Sequence, residues 1–233
     1  VRDIEIIETE ILLADLESLQ KRLEKSNKKK IDKDELIFLE ECLELINNGK
    51  KPEELKKKFD KNIIKKSALL SLKPSIIVCN VDEKSLSKGN KYSDLCIKKF
   101  YDENVIIVCA NIEDQIMNLK IKDRQDFMIE SGIQDTGLNN LIKSGYKTLE
   151  LSTFFTSGPE ESRAWTIEKN STAANAAGII HTDFEKKFIR AETVSHDDFV
   201  KYKGFNECKN AGKLRLEGKD YLVNDGDVMY FRV

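Results

Sequence analysis

The sequence predicts a three-part protein of mixed α/β and α+β class: an antiparallel, coiled-coil-like helical hairpin, part of a parallel sheet with its helices, and a compact β-grasp end. Three observations predict it. Leucines recur at steps of three and four near the N-terminus, the period of a helix with one apolar stripe. Two short unbroken apolar runs, residues 74–79 and 105–109, bracket a helical stretch, as in a strand–helix–strand unit of a parallel sheet. From about Leu151 onward, short alternating segments surround a single helical pattern.

The first helix follows from Leu12, Leu16, Leu19 and Leu23, which fall on one stripe while Glu17, Lys21 and Arg22 lie elsewhere around the helix. Asp32 with Glu35 has the form of a capping box, Leu36, Leu39, Leu43 and Ile46 repeat the stripe, and Asn47-Asn48-Gly49 is a stop signal. Two such helices joined by a short connection pair antiparallel. Two heptads each is short for a free-standing coiled coil, so the hairpin is expected to project from something larger. Pro52, Glu53 and Glu54 ahead of Lys56, Lys57 and Lys58 predict a further short helix with charges matched to its dipole.

Beyond the first apolar run, residues 92–101 read as a helix leading to the second. Asp135-Thr136-Gly137 then introduces a helix through Leu138, Leu141 and Ile142. The expected C-terminal strands are residues 153–156, 163–167, 189–194, 221–223 and 228–231, with residues 172–184 as the one strong helix among them. Strands wrapped around a single helix give the β-grasp expectation.

At 233 residues with 40% apolar content the chain is long enough for real cores. Thirty-nine basic against 41 acidic residues leave a net charge of −2, which excludes a global field that would steer the protein to nucleic acid or membrane. Residues 21–66 form the only basic region, with 15 Lys/Arg against 10 Asp/Glu. Five scattered cysteines without C-x-x-C spacing fit a reduced, cytoplasmic compartment. Neither a signal peptide nor a run of about 18 apolar residues occurs, so no membrane association is expected. Val1 in place of Met, with a helix starting almost at once, reads as a chain cut from a longer one.

The chemistry lies in two loops after the two apolar runs, where ligands sit beyond the carboxyl ends of parallel strands. The first is Asn80-Val81-Asp82-Glu83 and the second Cys109-Ala110-Asn111. An N-K-x-D loop reads guanine because its Asp accepts from the ring N–H and the exocyclic amine. Here the fourth position is Glu83. Adenine presents a ring acceptor instead, so a carboxylate aimed there would be repelled, and the longer Glu weakens the case for guanine. Asn80 has an amide able to pair with a purine N7 and with adenine's amino group. The plainer reading is that Asn80 and Glu83 turn the chain and cap the next helix.

The block RAWTIEKNSTAANAAGIIHTDFEKKFIR, residues 163–190, closely resembles the TGS domain of the YchF/Obg-like ATPases, translation-associated P-loop NTPases. The resemblance extends through RDIEIIETEILLADLESLQKRLEK, FMIESGIQDTGLNNLIKSGY and AGKLRLEGKDYLVNDGDVMYFRV, nearly the whole chain. It implies a helical insertion over residues 1–73, the later half of the nucleotide-binding domain over 74–149 and a TGS domain over 150–233. It assigns Asn80, Val81 and Glu83 to the base-reading N-x-x-E loop, and Cys109, Ala110 and Asn111 to the loop offering a backbone donor. It also implies an intact protein that hydrolyses ATP, and GTP less well, with Mg²⁺. The ribosome, through its large subunit and rRNA, is the implied partner, with protein partners reached through TGS.

The chain contains no G-x-x-x-x-G-K-[ST]. In the family the P-loop, the Mg²⁺-binding Ser/Thr and both switches precede the point where this chain begins, so the 233 residues are expected to hold no Mg²⁺ site and not to hydrolyse ATP. A stand-alone TGS-containing RNA or protein adaptor is the rival reading. His181 and Asp183, two apart on an expected helix, cannot share a face, so the preferred reading is that His181, Phe184 and Phe188 pack or hydrogen-bond the helix onto the sheet rather than serve metal or acid–base chemistry. Lys186, Lys187 and Arg190 could approach an RNA phosphate and Trp165 or Phe188 could stack on a base. The hairpin lysines are the stronger candidates for rRNA.

Overall fold

The computed structural model describes residues 2–26, 32–100 and 105–233. The chain divides into two compact units, Val1–Gln134 and Asp135–Val233. The expected helix through Leu138 and Ile142 thus belongs to the second unit.

In the first unit, α1 (Arg2–Ser26) and α2 (Lys33–Asn47) pack together. Ion pairs from Arg22 to Glu35 (3.5 Å) and from Lys51, just past α2, to Glu8 (2.6 Å) show that they run antiparallel. The capping differs from expectation. Asp32 accepts from the Asp34 N–H (3.0 Å), and Glu35 reaches across to Arg22 rather than back to the cap. A third layer covers the hairpin: the 3₁₀ turn Pro52–Lys57, α3 (Lys61–Ser67) and the 3₁₀ turn Leu70–Leu72. Leu19, Leu39 and Ile46 of the expected stripes share one core with Phe38, Cys42, Leu55, Leu69 and Leu72. Asp15, buried within this leucine-rich helix, accepts from the N–H groups of Leu70 (2.8 Å) and Ser71 (2.7 Å) and so caps the last turn of the third layer.

β1 (Ile77–Asn80) and β2 (Val105–Val108) pair in parallel, with Asn80 opposite Val108. Between them lies α4 (Lys91–Phe100), matching the expected helix except for Tyr101, which falls outside the described residues. The two strands are less buried than their unbroken apolar runs suggest. Val78 is 44% exposed, because among the described residues β1 pairs only with β2. α5 (Ala110–Asn118) and α6 (Ile121–Glu130) follow, and Cys109, Ile112 and Ile116 form a small core with Leu86, Phe127, Met128 and Ile133.

The second unit opens with α7 (Gly137–Thr148), whose cap Thr136 accepts from the Asn139 N–H (3.1 Å). Five strands follow: β3 (Leu151–Ser157), β4 (Ser162–Glu168), β5 (Arg190–Ser195), β6 (Arg215–Glu217) and β7 (Asp227–Arg232). Their order is β4-β3-β7-β5-β6; β3 and β7 are parallel and the remaining pairs antiparallel. α8 (Ala173–Ile180) lays Ala173 and Ala176 against Phe154, Ile167, Ala191 and Met229, where small side chains let helix and sheet approach closely.

Three expectations fail here. Residues 221–223 form no strand, only a bridge between Leu222 and Thr172, and the fourth strand in sequence is instead Arg215–Glu217. The expected helix over 172–184 is two helices, α8 and α9 (Thr182–Lys186), broken at His181, which is extended (φ −158°, ψ 136°). Two further helices, α10 (His196–Tyr202) and α11 (Phe205–Asn210), stand between β5 and β6 and meet through Phe199 and Phe205 at 5.1 Å. At seven and six residues they carry too few apolar repeats to declare a period.

Candidate nucleotide-base site

The parallel register brings the carboxyl ends of β1 and β2 level, and both candidate loops leave from there. The Val81 N–H donates to the Val108 carbonyl (2.8 Å), extending the pairing one step past the strand. The chain then turns: Asp82 accepts from the Ser85 N–H (2.9 Å) and opens a 3₁₀ turn, Glu83–Ser85. The Ser85 hydroxyl and N–H hold the Asp82 carboxyl below its usual range, so it stays ionised in this cap. On the other strand, buried Cys109 leads directly into α5.

Asn80 and Ala110 meet. The Ala110 N–H donates to Asn80 Oδ1 at 3.1 Å, tying one loop to the other across thirty residues of sequence. The Asn80 carbonyl is thereby fixed in direction, while its NH₂ group, on an exposed side chain, remains able to donate to a ring nitrogen. The same bond means that the Ala110 N–H, expected as a donor to ligand, orients Asn80 instead. Glu83 is exposed and lies 3.4 Å from the Gln115 side-chain amide on α5, so its carboxylate is drawn toward the second loop's helix. Asn111 is exposed in the first turn of α5, and Val81 is half-buried. The six predicted residues therefore occupy two adjoining loops. Beneath them, burial and then the neighbouring Cys96 push the Cys79 thiol up, which disfavours its thiolate.

The other candidates resolve differently. His181 caps α9: its Nδ1 accepts from the Asp183 N–H (3.2 Å), and the ring tilts against Phe184 at 5.9 Å. Its side chain is exposed, so it does not pack the helix onto the sheet. Among the described residues no group of three or more His, Cys, Asp or Glu side chains could hold a metal ion. Trp165 is not free to stack on a base, because Arg163 covers it at 4.3 Å, Phe154 stacks at 6.5 Å and its Nε1 donates to Thr156 (2.9 Å). Phe188 packs against the sheet core, meeting Phe231 at 6.1 Å.

A feature not foreseen lies in the second unit, where an open cavity of about 740 Å³ is lined by Phe155, His196, Lys213, Arg215, Asp225 and Asp227. Its organising group is buried Asp227, which accepts from the Tyr221 hydroxyl (2.8 Å), the Asn224 N–H (2.9 Å) and Arg215 (3.0 Å). Burial and the adjacent Asp227 carboxylate push the Tyr221 phenol up. The run Tyr221-Leu222-Val223-Asn224-Asp225-Gly226-Asp227 was the available signal: three turn-forming residues precede an Asp that opens a strand.

Residues 151–233 match the family model YchF-GTPase_C, described as "Protein of unknown function (DUF933)". Two curated proteins named "Ribosome-binding ATPase YchF" are close in sequence. The Haemophilus ducreyi protein is 45% identical over 238 residues and the Shigella flexneri protein 44% over 237, covering 99% and 98% of this chain. The chain spans 65% of the length of each. The Schizosaccharomyces pombe YchF GTPase structure superposes with a TM-score of 0.78 at 32% identity, over 99% of this chain and 65% of that one. These similarities run through both units, which disfavours a free-standing adaptor, and with the paired loops at the strand ends they lead to one conclusion: the chain belongs to the YchF family.

Proposed function

We propose that this chain carries the base-reading loops and the partner-binding parts of a ribosome-associated ATPase. The observation that carries this reading is the Asn80–Ala110 bond, which preorganises an amide at the end of a parallel strand pair. An amide held through its oxygen presents its NH₂ group to a purine N7, and the oxygen's second lone pair can take adenine's amino hydrogen. Glu83, leaning toward Gln115, is not aimed at the base, which favours adenine over guanine. Val81, Cys109, Ala110 and Asn111 complete the walls.

ATP with Mg²⁺ is the ligand of the whole protein in this reading, with GTP second. The described residues include the two loops assigned here to the base, and the 233-residue sequence holds no G-x-x-x-x-G-K-[ST] to cradle phosphates or carry the Mg²⁺-binding hydroxyl. By itself it binds nucleotide weakly and does not hydrolyse it. The strand order β4-β3-β7-β5-β6 around α8 supports a β-grasp TGS domain over residues 150–233 that docks protein partners. Residues 1–73 form the helical insertion and 74–149 the later half of the nucleotide domain. Ribosome association is supported by the names of the relatives; the large subunit as the side engaged, and the cytoplasm as the setting, belong to this proposal alone. No described helix is long and apolar enough to cross a membrane.

Titration of the chain with adenosine and guanosine, followed by backbone amide NMR, tests the reading. Adenosine should shift the amides of residues 80–83 and 109–111, and Asn80→Ala should abolish those shifts. Equal response to both nucleosides, or adenosine shifts elsewhere, would refute it.

A further inference from the structure

Charge in the first unit is segregated by layer. α1 carries seven acidic against four basic residues and α2 five against one, whereas residues 50–73 carry nine lysines against three acidic residues and no arginine. The basic region that the sequence ascribes to the hairpin therefore belongs, among the described residues, to the layer that covers it. Packing fixes where those lysines point. Pro52, Leu55, Leu69 and Leu72 are buried, and Phe59, Ile63 and Ile64 pack on the same core, so the apolar side of this layer faces the hairpin. Lys51 and Lys58 turn back to Glu8 and Glu41 and neutralise the seam. Lys56, Lys57, Lys61 and Lys66 are exposed.

We propose that this lysine face is the surface through which the chain contacts RNA, by its phosphate backbone and without reading sequence; the assignment rests on the ribosome-associated function proposed above. The residue types select that partner. Several ammonium groups within a few turns match the dense phosphate charge of RNA and release its counterions. Lysine meets a phosphate as a point charge, whereas base recognition calls on planar Arg, Asn or Gln forks or on stacking aromatics, and residues 50–73 hold a single such fork, Asn62, against nine lysines. The one aromatic residue of this layer, Phe59, packs against Phe38 at 5.1 Å and is not offered outward. The Glu-rich helices behind repel a polyanion, which confines the contact to this side.

The test titrates the 233-residue chain with a short RNA duplex of arbitrary sequence, with purified ribosomes and with polyglutamate over a range of salt. Replacing Lys56, Lys57, Lys61 and Lys66 together by Gln should lower the slope of log affinity against log salt by about 3 to 4, at about 0.9 per phosphate contact. Duplex affinity should fall at least ~100-fold at low salt, with the melting temperature unchanged. Replacing Lys21 and Lys25 of α1, or Lys28, Lys29 and Lys30 beyond it, should leave most of the affinity. Duplex binding that survives the four-lysine variant, wild-type indifference to the duplex, or polyglutamate binding as tightly as RNA would overturn the proposal. If the duplex arm behaves as expected but wild-type protein does not bind ribosomes, the ribosome-associated reading fails and the RNA surface stands.

Discussion

Removing the Asp15 carboxylate should detach the layer that carries the lysine face. Asp15 sits 2% exposed within α1 and accepts two backbone N–H groups, from Leu70 and Ser71, at 2.8 and 2.7 Å. Asp15→Ala takes the acceptor from both donors, the Ser71 N–H buried and the Leu70 N–H part-buried. An unsatisfied buried donor costs about 1–3 kcal/mol, so the pair amounts to about 2–6 kcal/mol. The variant is also relieved of a desolvated carboxylate, which brings the expectation to about 2–4 kcal/mol. Asp15→Asn keeps one acceptor oxygen but turns an NH₂ group toward the second N–H, and should lose about half as much. Urea unfolding measured on the first unit gives the free energies, and hydrogen exchange at the amides of residues 70 and 71 locates the loss. The two amides should lose protection before those in the middle of α2. A change below about 0.5 kcal/mol in Asp15→Ala, or unaltered exchange at both amides, would refute the assignment of Asp15 as the clasp of this layer.

Two further outcomes follow from the same kind of accounting. Burial first, and then the Asp15 and Glu41 carboxylates, push the Cys42 thiol up to about 12. Its protonated form is the one the fold accommodates, so this contribution to stability is complete below the thiol's usual range near 9 and is lost as pH rises toward 12. Cys42 should therefore resist alkylation at pH 8 in the folded chain, and Cys42→Ala should flatten the alkaline decline in stability; rapid labelling without unfolding would contradict this. In the second unit, Asp227→Ala removes the acceptor shared by the Tyr221 hydroxyl, the Asn224 N–H and Arg215 and should cost about 3 kcal/mol, whereas Tyr221→Phe, which leaves Asp227 its bonds from Asn224 and Arg215, should cost about 1. Near-equal melting temperatures for the two variants would show that Asp227 does not organise the cavity.

The elements that could be read in advance are those whose signal is local and repeated. Leu12, Leu16, Leu19 and Leu23 needed only the helical period, and residues 77–80 and 105–108 only their unbroken apolar character. Asn80 and the Ala110 loop were legible as a pair because parallel strands bring their carboxyl ends to one edge, a rule of topology that holds whatever the side chains. The strand at Arg215–Glu217 was missed for the opposite reason. Three residues display no period, and its pairing with β5 exists only once the chain has folded.

What the tertiary structure alone decided is a matter of partners distant in sequence. Nothing around Asp15 announces that its oxygens meet amides fifty-five residues away, or that an N–H expected to face ligand is held by Asn80. His181 reads as one more helical residue until its backbone opens to cap the following turn. The basic composition of residues 21–66 was visible as a total, yet which layer bears it depends on which apolar side chains are drawn inward. Periodicity is written along the chain and survives reading one residue at a time; hydrogen bonds and charge faces are made between segments, and take their direction only when burial has set each segment's orientation.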